Sequence, residues 1–172
     1  MSKLRGGHRY SFNCDGQMCL FQRCYSDKGR HSFVNGSRIC GPNVFLDCVS
    51  ENDKADSGPH HRWSVSTLFD RVQTQALNAQ NRGTSGSGHG WAGANMVFWN
   101  CRTVGIICQH PPAAENFCIG CIATGKITGD GHIESFGTPV APESLYLAQL
   151  RDRLGMKAVR QVATPEQYAF LE

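Results

Sequence analysis

The sequence predicts an all-β solenoid, a parallel β-helix with a short α-helical tail at its C-terminus, on three observations. The first is a recurring strand motif: Leu20-Phe21-Gln22-Arg23-Cys24, Val44-Phe45-Leu46-Asp47-Cys48, Leu68-Phe69-Asp70-Arg71-Val72 and Val97-Phe98-Trp99-Asn100-Cys101. Phe117-Cys118-Ile119-Gly120-Cys121 is a looser fifth copy. With the phenylalanine as marker, the first three copies stand 24 residues apart, and the next steps are 29 and 19. A period in the twenties marks a solenoid, in which each repeat buries its apolar side by stacking on its neighbours. The second observation is the punctuation between copies: Asp27-Lys28-Gly29, Asn35-Gly36, Gly41-Pro42-Asn43, Ser57-Gly58-Pro59 and the glycine-rich Gly83–Gly88 are turn residues. The third is that these intervals lack long apolar runs of helical period, which excludes the crossover helices of a doubly wound α/β sheet. The leucine ladder of a leucine-rich repeat is missing as well.

Each copy is short and rich in aromatic, β-branched and small apolar residues, which favours a strand. Stacked in a β-helix, Phe21, Phe45, Phe69 and Phe98 would form one interior column, and Cys24, Cys48, Val72 and Cys101 another. Between the copies, Arg30-His31-Ser32-Phe33-Val34 resembles His60-His61-Arg62-Trp63-Ser64-Val65, and Asn13-Cys14 resembles Asn95-Met96. The first pair reads as one face of successive coils, with Gly36 to Pro42 as a turn insertion. Coils therefore account for residues 1–141. From Pro142 the pattern turns helical: Leu147, Leu150 and Leu154 are three and four apart, Ser144 is placed to cap, and Gly155 to stop. A second short helix starts at Thr164, with Pro165 in its first turn and Gln167 completing a capping box. About 30 residues cannot hold a core alone, so residues 142–172 are expected to pack on the solenoid, over its open end or along its outside, rather than form a domain.

A chain of 172 residues with net charge +3 is one domain by length. It has no basic run with interleaved aromatics, so nucleic acid is not an expected partner. No stretch approaches a membrane span, and Met1–His8 has no apolar signal region. The coils begin almost at once, without an N-terminal cap. That fits the C-terminal portion of a longer exported protein, extracellular or periplasmic. Were the chain complete, a homo-oligomer would have to cover the open first coil. Nine cysteines could suggest zinc, but Cys118-Ile119-Gly120-Cys121 has no second pair at matching spacing. Their agreement with the repeat favours small hydrophobes filling a column over metal or disulfides, and no cofactor is expected. Asn35-Gly36-Ser37 fits a glycosylation acceptor, a pattern short enough to arise by chance.

Polar residues gather in the segments before the repeat strands: Arg30 and His31, Arg38, then His60, His61, Arg62 and Trp63, then His89 and Trp91. Single histidines in turns are usually solvated, but adjacent cationic groups are costly to hide and unnecessary for a turn. Coils lie about 4.8 Å apart, so these segments would form a stripe crossing two or three coils. Arginine holds a carboxylate bidentately, histidine exchanges a proton near neutral pH, and tryptophan stacks on a sugar face. The stripe suits an acidic polysaccharide.

The repeat, with Arg30–Val34, Gly41-Pro42-Asn43-Val44-Phe45, Pro59–Trp63, Gly88-His89-Gly90-Trp91 and Glu134-Ser135-Phe136-Gly137 leading into Pro142–Leu150, resembles the C-terminal half of right-handed parallel β-helix proteins of the pectate-lyase-like superfamily. The resemblance runs from Asn13 to Gly155. It implies a carbohydrate-active protein, but the calcium-binding aspartates and arginine motif of the pectate lyases proper have no match. The leading expectation is a lyase on a uronate polysaccharide: His61 or His60 as base, Arg62 and Arg30 on the carboxylate, His31 or His89 as acid or ligand, and Trp63, Arg38 and Trp91 binding substrate. The alternatives are a glycoside hydrolase using Asp47 and Asp70, with Glu51, Asp53 and Asp56 nearby, and a non-catalytic glycan-binding solenoid.

Overall fold

The computed structural model describes residues 9–172, so the segment read for an export signal lies outside it. The chain is mostly β, and its strands form three sheets in which every pairing is parallel. Sheet A holds β1 (Tyr10–Cys14), β4 (His31–Asn35) and β7 (Gly58–Pro59). Sheet B holds β2 (Leu20–Gln22), β5 (Cys40–Leu46), β8 (Ser64–Asp70), β11 (Val97–Trp99), β13 (Phe117–Ile119) and β16 (His132–Glu134), with β10 (Gly93–Ala94) beside β8. Sheet C holds β3 (Tyr25–Asp27), β6 (Val49–Glu51), β9 (Gln73–Ala79), β12 (Arg102–Cys108) and β14 (Ile122–Ala123), with β15 (Ile127–Thr128) beside β12. The first nine strands visit A, B and C in that order three times. This circuit is consistent with a parallel β-helix.

The strand motif sets the stacking. Phe21 faces Phe45, Phe45 faces Phe69 and Phe69 faces Phe98. Successive ring centroids are 4.9, 5.1 and 5.5 Å apart. The fifth copy is in register with the fourth, but its place in this column belongs to Cys118, not Phe117, so the marker of that copy moves by one residue. Phe117 turns to the other face and packs against His132, because successive side chains of a strand point to opposite faces. Cysteine suits the second column because it is small and its thiol is a weak donor. Cys48, Cys101 and Cys121 donate to the carbonyls of Phe21, Phe69 and Phe98, one circuit back, at 3.5, 3.2 and 3.4 Å. Cys118 and Cys121 thus fill separate interior columns. All nine cysteines are free thiols.

Between phenylalanine and cysteine, a single residue turns the chain from sheet B into sheet C. It is Arg23, Asp47, Arg71, Asn100 and Gly120 in successive circuits, each with φ between 50° and 67°. Asp47 and Asp70, the carboxylates of the hydrolase alternative, are not at equivalent positions: Asp70, in β8, pairs with Leu46 of β5, whereas Asp47 occupies the turn. The proposed match of Arg30–Val34 with His60–Val65 also fails. Val34 and Asn35 pair with Gly58 and Pro59, and Ser64 and Val65 belong to sheet B. Likewise Asn13 and Cys14 lie in sheet A, while Asn95 and Met96 precede a strand of sheet B. Asn35 is fully buried, so it presents no surface acceptor for glycosylation.

The interior is apolar around Phe33, Phe45, Phe69, Leu77 and Phe98 and polar at one side. There Asp53 accepts from the hydroxyls of Ser32, Ser50 and Thr74 at 2.5, 2.5 and 2.9 Å. Three hydroxyl donors make a buried carboxylate tolerable.

The long loop after β9 contains α1 (Ser85–Gly88), one turn closed by the His89 N–H on the Ser85 carbonyl at 3.0 Å, with Gly86 and Ser87 outside helical geometry. The tail comprises α2 (Leu145–Val162) and α3 (Pro165–Tyr168). Ser144 caps α2, accepting from the Leu147 N–H at 3.2 Å, and Thr164 and Gln167 form the capping box of α3. Gly155 interrupts α2 at φ 76° and ψ 170° without ending it. Leu147, Val159 and Tyr168 pack with Leu46, Leu20 and Val44, placing the tail along the outside of sheet B. Among the described residues, no helix is long and apolar enough to cross a membrane.

Candidate functional site

The corner between sheets A and B gathers histidines from three circuits. His31 begins β4, His60 and His61 follow β7, and His89 follows α1. The His60 ring lies 4.5 Å from His31, 5.4 Å from His61 and 5.0 Å from His89, centroid to centroid, and His61 and His89 are 5.2 Å apart. Tyr10 closes the group, 5.8 Å from His31 and 5.2 Å from His60.

Backbone bonds stack the neighbouring turns. Arg38 N–H donates to the Arg62 carbonyl at 2.9 Å, Arg62 N–H to that of His89 at 3.0 Å, and Trp63 N–H to that of Trp91 at 2.8 Å. The Arg62 guanidinium also donates to the Ser87 carbonyl at 3.0 Å and hydroxyl at 2.6 Å, drawing the glycine-rich loop over the histidines. Gly86 makes that approach possible: its φ is +58°, and a methyl group there would stand 2.2 Å from the His89 ring. Arg38 and Trp63 are exposed, Trp91 is half-buried, and Arg30, exposed, precedes His31.

Two residues that sequence reasoning did not assign to this corner complete its charge balance. The Arg82 guanidinium is paired with Asp56, and His31 Nδ1 lies 2.6 Å from the Asp56 carbonyl oxygen. Burial pushes the Asp56 carboxyl up, but the His31 hydrogen bond and the Arg82 charge hold it below the usual range. Burial, reinforced by the charges of His31 and Arg82, pulls His60 down to about 3. Burial also lowers His61, helped by His89 and Arg62, and lowers His89, helped by Arg82 and Arg62. These three imidazoles are neutral at pH 7 and stand beside permanent cations.

Their hydrogen bonding is incomplete. Among the described residues, twelve buried side-chain polar atoms have no partner. Seven belong to this corner: Nδ1 of His60, His61 and His89, both amide atoms of Asn35, Ser37 Oγ and Arg82 Nε. Folded proteins seldom leave such atoms unpaired, and their concentration singles out this corner as the candidate site. Among the described residues, no three His, Cys, Asp or Glu side chains are arranged to hold a metal ion.

No protein family, curated protein or solved structure matches this chain. Its chemistry therefore rests on the residues themselves. Eight of the nine residues singled out in the sequence lie in or beside the corner, by ring contacts or by the bonds between stacked turns. Tyr10 and Arg82 were not singled out in the sequence, and Asp56 was read only beside the carboxylates of the hydrolase alternative. Arg82, immediately before the glycine-rich loop that ends at His89, was the one with a usable signal. The carboxylate pair fares differently: Asp47 lines a cavity of about 580 Å³ with Arg71 and Gln167, while Asp70 is wholly buried beneath Ser144 and Tyr146.

Proposed function

We propose that the chain is a right-handed parallel β-helix of the pectate-lyase-like kind and that its histidine corner cleaves a uronate polysaccharide by β-elimination. The supporting observation is the cluster of neutral imidazoles, His60, His61 and His89, whose rings lie 5.0 to 5.4 Å apart beside Arg62 and Arg82. In this reading the Arg62 guanidinium takes the uronate carboxylate and stabilises the enolate, while Arg82 stays paired with Asp56 behind it. His61, less buried than His60, removes the proton alpha to that carboxylate. The carbon–oxygen bond then breaks as the carbon–carbon double bond forms, and the His61 imidazolium returns its proton to the leaving oxygen. Unprotonated at neutral pH, His89 serves as a hydrogen-bond partner for substrate rather than as the acid. Trp63 and Trp91 flank the chain and Arg38 extends the cationic edge. Such polymers lie outside the cytoplasm, so an extracellular or periplasmic location accompanies the reading.

Asp47 and Asp70 give the hydrolase alternative little support, since a substrate reaching Asp47 would meet Asp70 only through the tail. The test is incubation with polygalacturonate and alginate, following near-ultraviolet absorbance of an unsaturated uronate. His61→Ala is expected to lower turnover by about 10²-fold or more with an unchanged thermal melt. As its pKa lies below the ordinary histidine value, kcat/KM should hold until the pH falls below about 6.5, then decline as the base is protonated. New reducing ends without absorbance would instead indicate a hydrolase. Binding without product would indicate a glycan-binding module.

A further inference from the structure

We infer a second glycan site on the outer face of sheet C, shaped for a neutral polysaccharide chain. The tail covers sheet B, but sheet C carries a cavity of about 480 Å³, and a second of about 580 Å³, between the turns from sheet B to sheet C and the tail, meets it at Gln73 and Arg102. Those two residues are register partners on β9 and β12, so the cavities join into one groove. The groove crosses neighbouring circuits about 4.8 Å apart, close to the length of one pyranose ring.

Its lining differs from the histidine corner. The exposed amides of Asn52, Gln73 and Gln75 supply donors and acceptors together, suited to hydroxyl groups. Four carboxylates, Asp47, Glu51, Glu143 and Glu166, stand against two guanidiniums, Arg71 and Arg102. That balance disfavours a polyanion. Beyond Glu51 the same face presents Tyr25, 58% exposed, with its hydroxyl donating to Glu51 at 2.9 Å. An exposed aromatic ring fixed at its tip is a platform for a sugar face.

With the cationic corner reserved for a uronate, the two sites together suit a heteropolysaccharide with neutral and acidic stretches. This pairing rests on the lyase reading, but the neutral site does not. The test is affinity electrophoresis in gels containing neutral galactan, with polygalacturonate as the acidic comparison. Wild type should be retarded by galactan. The double variant Gln73→Ala/Arg102→Ala, and independently Tyr25→Ala, should lose about tenfold in affinity while turnover of polygalacturonate and the thermal melt stay unchanged. No retardation of wild type by galactan, or equal retardation of folded variants, overturns the inference. Failure of the lyase reading would show separately, as retardation by galactan with no absorbance from polygalacturonate.

Discussion

Asp70 shows what burial does to a single carboxyl. It is fully buried, accepts from the Ser144 hydroxyl at 2.7 Å and the Tyr146 N–H at 2.8 Å, and leaves Oδ1 without a partner. Burial pushes its pKa up to about 6, against the opposing pull of Tyr146, Ser144 and Arg71. A folded pKa above the unfolded one means that protonation favours the fold. The contribution is complete below the unfolded value, near 4, and is lost as pH rises through about 6. A shift of this size corresponds to about 3 kcal/mol. Asp70→Asn, permanently neutral, should therefore gain about that much on wild type between pH 4 and pH 7 in paired denaturant titrations. A difference that stays flat with pH would refute the assignment. In the sequence this aspartate looked like half of a catalytic pair. Only the position of the tail shows that it anchors a helix instead.

At the scale of elements, the turn between sheets B and C sets the geometry. Its single residue has positive φ in every circuit, a conformation that glycine and asparagine adopt most readily. Asn100 also uses its side chain, donating to the Val140 carbonyl at 2.8 Å and accepting from the Val140 N–H at 2.8 Å. That contact leaves no room at the next circuit. A methyl group on Gly120 would stand 2.2 Å from Asn100 Oδ1. Gly120→Ala should cost about 2 kcal/mol or more, seen as a lower denaturation midpoint and faster proteolysis of residues 137–143. Unchanged stability would remove the turn from this role. Sheet B was legible in the sequence because its columns repeat the same side chains. Sheet A was not, because β4 and β7 pair Val34 and Asn35 with Gly58 and Pro59, which share no side-chain pattern. The histidines were still grouped correctly, since one circuit brings successive turns together even when strand pairing is misread.

Over the whole molecule, the tail acts as a strap across the stack. Gln22 donates to the Val162 carbonyl, Gln167 to Asp47, Ser144 to Asp70 and Trp99 to the Pro142 carbonyl, at 2.7, 2.5, 2.7 and 2.8 Å. These bonds span strands β2 to β11, whereas β16, with its Ile133, and the nearby Phe136 are exposed. A stack whose repeats contact only their neighbours frays from its ends, and a strap across its body shifts that fraying to the uncovered circuit. The thiols report it. Cys40 is exposed, Cys19 and Cys24 are partly exposed, and the other six are buried. Burial pushes Cys48 and Cys108 up to about 12, so these react only after opening. In native buffer a thiol reagent should label Cys40 first, then Cys19 and Cys24. In mild denaturant, peptide mapping should find Cys118 and Cys121 labelled before Cys48 and Cys101. Simultaneous labelling of all four would mean that the circuits open as one unit, and that the strap binds the last circuit as firmly as the rest.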